Sequence, residues 1–108
     1  MPWVAVPGFT FETAHPYGNN VAQWKQLYLP AGASRMRLVT AGVFDLEANY
    51  DFLEVWTWVN NAWTRTKRYT GLVGPSANDE FPGQYFYLKF VSDTSVTREG
   101  FNVIAESR

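Results

Sequence analysis

Along the chain, apolar residues alternate with polar ones or gather in short runs, and turn-forming clusters part them about every ten residues. Strands are predicted over 21–29, 35–44, 50–59, 62–71, 84–91 and 100–106, with a loop at 13–20 (TAHPYGNN) and a long turn region at 72–83. A strand sends alternate side chains to opposite faces. Met36 and Leu38 are therefore expected inside, with Arg35 and Arg37 outside. Phe86, Leu88 and Phe90 face the core, leaving Tyr85, Tyr87 and Lys89 outside. Placing Leu53, Val55 and Val59 inward puts Tyr50, Phe52, Trp56 and Trp58 on the opposite face. Trp63, Arg65, Lys67 and Tyr69 make a similar row on the hairpin partner that follows Asn60-Asn61. No helical period is evident, so the fold class is all-β, an antiparallel sandwich of seven or eight strands.

The length of 108 residues fits one domain, 1–108, and aromatic residues make up 18% of it. The net charge of −1 supplies no basic excess for phosphates, so nucleic acid is not an expected partner. No apolar run approaches the roughly 20 residues of a membrane-spanning helix. The absence of cysteine removes disulfides, thiolate metal sites and cysteine nucleophiles together. Met1 leads straight into PWVAVPGF, without the basic start and apolar stretch of a signal peptide, which is the pattern of a module excised from a larger secreted protein.

One strand-forming segment, FDLEANYDFLEV (44–55), carries Asp45, Glu47 and Asp51 close together. In a strand Asp45 and Glu47 share a face, about 7 Å apart. A turn at Ala48-Asn49 would bring Asp51 back to Glu47. Asp93, at the end of a later strand in SDTSVTREGF (92–101), is a third candidate. Carboxylates held together repel, so one takes a proton or all share a cation. Calcium accepts six to eight oxygens at about 2.3–2.6 Å in loose geometry, whereas magnesium is stricter. Zinc is disfavoured with one His and no Cys. The residues alone leave a plainer reading open, in which Asp45 and Glu47 are a solvated edge, Asp51 a turn residue and Asp93 a cap.

The order HPYGNN, Trp24, LPAG, MRL, FDLE, YDFLEV, GP, YLKFVSDTSV and GF resembles that of CUB domains over residues 12–103, most specifically in FDLEANYDFLEV and FVSDTSVTREGF. The resemblance implies a jelly-roll-like β-sandwich that is extracellular, with Trp24 in the core. It also implies a calcium ion held by Glu47, Asp51 and Asp93, with the Ser95 carbonyl added. Tyr17, Asp45 and Val96 would sit beside the ion or contact a partner, and Val96 would offer only its carbonyl where the family can use an Asn side chain. The expected partner is a protein, engaged through a basic side chain. Ala22, Ala48 or Asn49, and Val73 stand where three of the family's cysteines would be. That departure resembles cysteine-free relatives attached to bacterial secreted proteases, and points to a bacterial protein. Each absent disulfide would stabilise such a domain by about 2–5 kcal/mol. An ion at about 100 times its dissociation constant replaces about 2.7 kcal/mol of that.

Catalysis is not expected. His15 is the only histidine and precedes a proline in a loop, and no cleft is implied around the carboxylates. Trp56, Trp58 and Trp63 in VWTWVNNAW are a candidate platform for carbohydrate or for a protein surface. The reading is a non-catalytic, calcium-stabilised extracellular binding module, monomeric when isolated, that serves an attached enzyme. A carbohydrate-binding module and an assembly domain docked through its aromatic face are the alternatives.

Overall fold

The computed structural model describes residues 2–108. Eight strands run in chain order: β1 (Val4–Glu12), β2 (Ala22–Tyr28), β3 (Arg35–Asp45), β4 (Phe52–Val59), β5 (Ala62–Tyr69), β6 (Phe81–Pro82), β7 (Tyr85–Val91) and β8 (Gly100–Ser107). They form two four-stranded antiparallel sheets, ordered β1-β8-β3-β6 and β2-β7-β4-β5. The inward rows behave as the alternation requires. Met36 and Leu38 from β3, Leu53 and Val55 from β4, and Phe86, Leu88 and Phe90 from β7 are all buried, and they meet Phe101, Val103 and Ala105 of β8. Phe90 packs edge-on against Phe101 across the sheets, with ring centroids 5.6 Å apart. Burying a side chain of this size contributes about 1.5–3 kcal/mol.

Two strands have no counterpart in the sequence pattern. The β1 strand contains Pro7 and Gly8, and its pairing with β8 shifts register between Ala5 and Thr10, so its alternation is broken. The two-residue β6 lies inside the expected turn region, where Phe81 is buried and pairs with Met36.

Several side chains take the other face. Trp24 is not core: it points out of β2 and is 60% exposed. The inward positions of β2 are instead Gln23, Lys25 and Leu27. The first two donate to the Glu12 and Thr10 carbonyls of β1, at 2.8 and 2.9 Å. An edge strand can place polar side chains inward because their ends reach the rim and their aliphatic stems cover the core. Val59 is exposed at the end of β4, and Tyr50 lies in the preceding turn rather than on the strand.

The row on β5 is split by a bulge. Trp58 opposes Trp63 and Trp56 opposes Arg65, but Val55 opposes Lys67 and Leu53 opposes Tyr69. The unmatched residue is Thr66, whose hydroxyl donates to the Val55 carbonyl at 3.1 Å. Beyond it the alternation inverts. Tyr69 is consequently buried, and its hydroxyl donates to Asp79 at 2.9 Å.

Candidate functional site

The turn after β3 doubles back as its sequence requires. The Asp51 N–H donates to the Glu47 carbonyl at 3.1 Å, and Asn49 takes a positive φ of 69°, which asparagine tolerates well. Thr70, just past β5, clamps the turn from beneath. Its hydroxyl donates to the Asp51 carbonyl at 2.8 Å and accepts from the Asn49 N–H at 2.9 Å. No periodicity marks Thr70 in the sequence.

Two more segments converge on this turn. The 13–20 loop brings Tyr17, and the segment after β7 brings Asp93. The two segments are tied together by the Asn20 N–H on the Asp93 carbonyl at 2.8 Å, and by the Ser92 hydroxyl on the Gly18 carbonyl at 2.7 Å. Gly100 closes the far side. It has φ +86°, and a Cβ there would collide with the Thr13 hydroxyl, which accepts from the Phe101 N–H at 3.1 Å. Only glycine meets both demands.

Glu47, Asp51 and Asp93 each offer a carboxylate oxygen within 4.8 Å of the others. Asp51 is fully buried and is the hub of the cluster. Its Oδ2 accepts from the Tyr17 hydroxyl at 2.6 Å and its Oδ1 from the Asp93 N–H at 2.9 Å. Tyr17 accepts in turn from the Glu47 N–H at 3.1 Å. Burial, and then the bond to Asp51, push the Tyr17 phenol up, so it remains a donor.

Glu47 differs from Asp51 in kind. Its Oε1 is buried and has no hydrogen-bond partner among the described residues. Desolvation, followed by the charges of Asp93 and Asp51, raises its carboxyl above the usual range, against a smaller opposing effect of Arg98. A carboxylate oxygen out of water without a donor is costly. Here it faces two other acids, and a cation among them would satisfy all three.

The other expected residues lie around this cluster. Asp45 is not among the three converging acids. It accepts from Arg98 Nε at 2.7 Å and from the Glu99 N–H at 3.4 Å. The Ser95 N–H caps Asp93 Oδ1 at 3.3 Å. Val96 sits at φ 67°, where a β-branched side chain is strained. His15 is a loop residue bonded to the Glu99 carbonyl through Nδ1 (2.6 Å) and to Glu12 through Nε2 (2.7 Å). Both contacts favour the imidazolium and raise its pKa.

Trp56, Trp58 and Trp63 share the outer face of the β2-β7-β4-β5 sheet. Trp58 and Trp63 meet edge-on at 5.3 Å, and Trp56 stacks beside Tyr87 at 5.3 Å. Trp24, Tyr28 and Tyr85 extend this aromatic surface.

Two antiparallel four-stranded sheets, with acids gathered on the loops at one end, define a CUB-like β-sandwich. Among solved structures the chain is similar to the MASP-1 CUB2 domain bound to Ca2+, with 17% identity, a TM-score of 0.61, and coverage of 89% of this chain and 88% of that one. It is also similar to the CUB1-EGF-CUB2 domain of human MASP-1/3, again at 17% identity and TM-score 0.61, covering 99% of this chain but 39% of that longer one. No protein-family model and no curated protein matches the sequence.

Proposed function

We propose that this chain is a non-catalytic, calcium-stabilised interaction module of a secreted protein. The carrying observation is the convergence of Glu47, Asp51 and Asp93 from two distant segments, with Glu47 Oε1 buried and unpartnered among the described residues. The donors are all oxygens, the choice of a hard cation, and they sit on turns whose loose geometry suits calcium better than magnesium. A solved neighbour of the same fold is a CUB domain bound to Ca2+, which supports this choice.

In this reading Glu47, Asp51 and Asp93 hold the ion, and the 92–99 loop adds backbone oxygens, Ser95 first among them. The ion supplies charge neutralisation and a cross-link between the 47–51 turn and the 93–96 segment. Tyr17 fixes Asp51 from inside, and Arg98 holds Asp45 at the rim. A protein partner engages this loop end through a basic side chain, which competes with Arg98 for the acidic rim. The domain does no chemistry itself and serves a longer chain.

Calorimetric titration of the metal-stripped protein with calcium tests this. One site per chain is expected, and the Asp93→Ala variant should lose at least about tenfold in affinity, equivalent to about 1.4 kcal/mol. Equal binding by Asp93→Ala, or no heat at millimolar calcium, would reject the site.

A further inference from the structure

We propose a second binding site, distinct from the acidic loop end: a slot for an acidic saccharide on the outer face of the β2-β7-β4-β5 sheet. Strand register sets out its rows. Trp24, Lys89, Glu54 and Arg68 lie side by side across the four strands, as do Gln26, Tyr87, Trp56 and Arg65. Tyr87 is the common neighbour of Trp24 and Trp63, whose rings are each inclined at 67° to its own, with centroids 6.2 and 4.9 Å away.

Gln26 and Lys89 complete the lining of this open cleft of about 290 Å³. That volume suits a single sugar ring, at the small end of ligand pockets. Trp63 also walls a second cleft with Tyr28, Trp58 and Tyr85, so the surface continues toward the start of β7, away from Asp93. A chain of linked rings can follow it.

The chemistry selects the occupant. Aromatic faces stack against the C–H faces of a pyranose ring, while an amide and an ammonium reach its polar substituents. A peptide is less suited. The slot lies on the face of a sheet whose strands are paired in a ladder, so main-chain groups are not free to bind another backbone.

Charge completes the assignment. The chain carries a net charge of −1, yet among the described residues the strands of this face place Lys89, Arg65 and Arg68 outward against a single acid, Glu54. Glu54 is buried, and its oxygens accept from Trp56 Nε1 at 2.9 Å and Arg65 at 3.4 Å. Among the described residues no acid forms an ion pair with Lys89. A cation at the slot, with its cross-strand acid already engaged, complements a carboxylate on the sugar and repels a cationic ligand.

Titration of the full chain with oligogalacturonate, followed by tryptophan fluorescence and calorimetry, tests the slot. Cello-oligosaccharide and poly-glutamate are the comparison probes. Oligogalacturonate should bind at least about tenfold more tightly than either, and more weakly as salt rises. Trp24→Ala, at an exposed position that leaves the core intact, should weaken binding about tenfold or more. Lys89→Gln should remove the preference over the neutral sugar and most of the salt dependence. Asp93→Ala, provided it folds, should leave saccharide binding unchanged, which separates this site from the calcium site. Absence of binding, equal binding of the neutral sugar or of poly-glutamate, or indifference to both slot variants would overturn the proposal.

Discussion

Replacing Glu47 with Gln is expected to move the melting temperature in opposite directions with and without calcium. In chelator, wild type holds a partly desolvated carboxylate against Asp51 and Asp93, with Oε1 lacking a donor among the described residues. The neutral amide removes that repulsion, so Glu47→Gln should melt higher than wild type. In saturating calcium the order reverses, because the variant loses a charged ligand. At about 100 times its dissociation constant the ion contributes about 2.7 kcal/mol. In a domain of this size that corresponds to roughly 10–20 °C for wild type, and the variant should lose most of it.

The pH dependence carries its own sign. A carboxyl raised in the folded state penalises folding when ionised, and the penalty fades as the pH falls through the raised value toward 4.5, the ordinary value for Glu. The advantage of Glu47→Gln in chelator should shrink over that window and vanish below it. Thermal unfolding across the acid range, with and without chelator, measures both effects. A variant that melts below wild type in chelator would show that Glu47 is held by ordinary hydrogen bonds.

Asp51→Ala should destabilise the domain in calcium and in chelator alike. Removing a like charge from the cluster is favourable, but the hydrogen bonds outweigh it. The buried carboxylate accepts from the Tyr17 hydroxyl at 2.6 Å and the Asp93 N–H at 2.9 Å, and alanine leaves both donors unpartnered. Hydrogen bonds to a charged group contribute about 1.5–3 kcal/mol each. The expected loss is therefore about 3–5 kcal/mol, a large share of a total stability of about 5–15 kcal/mol. The melting temperature should fall by at least about 10 °C. Tyr17→Phe in the Asp51→Ala background should cost much less than alone, since the two share one bond. A fall of only a few degrees in chelator would mean that Asp51 serves the ion and not the fold.

The contrast between these two acids was not legible in the sequence. Both stand in FDLEANYDFLEV, and nothing local says that one is fully satisfied and the other orphaned. That difference depends on Tyr17, thirty-four residues before Asp51, and on the backbone of Asp93, forty-two after it. The convergence itself was foreseen, from the turn at Ala48-Asn49 and the likeness of two motifs to CUB domains.

Core rows were readable where apolar residues themselves alternate along a strand, as at Phe86, Leu88 and Phe90. They were unreadable where alternation broke, around Pro7 and Gly8 in β1 and at the Thr66 bulge in β5, which turned Tyr69 inward. Trp24 misled for another reason. On β2 the aromatic side chain faces out while Gln23 and Lys25 face in, so hydrophobicity marks the wrong side. The same inversion places Trp24 in the saccharide slot.

The most direct test is a crystal structure grown in calcium, with anomalous scattering used to locate the ion. One peak should lie among Glu47, Asp51 and Asp93, with carboxylate oxygens at about 2.3–2.6 Å. Density for Asp93 turned into solvent, with no scatterer between the two loops, would contradict it.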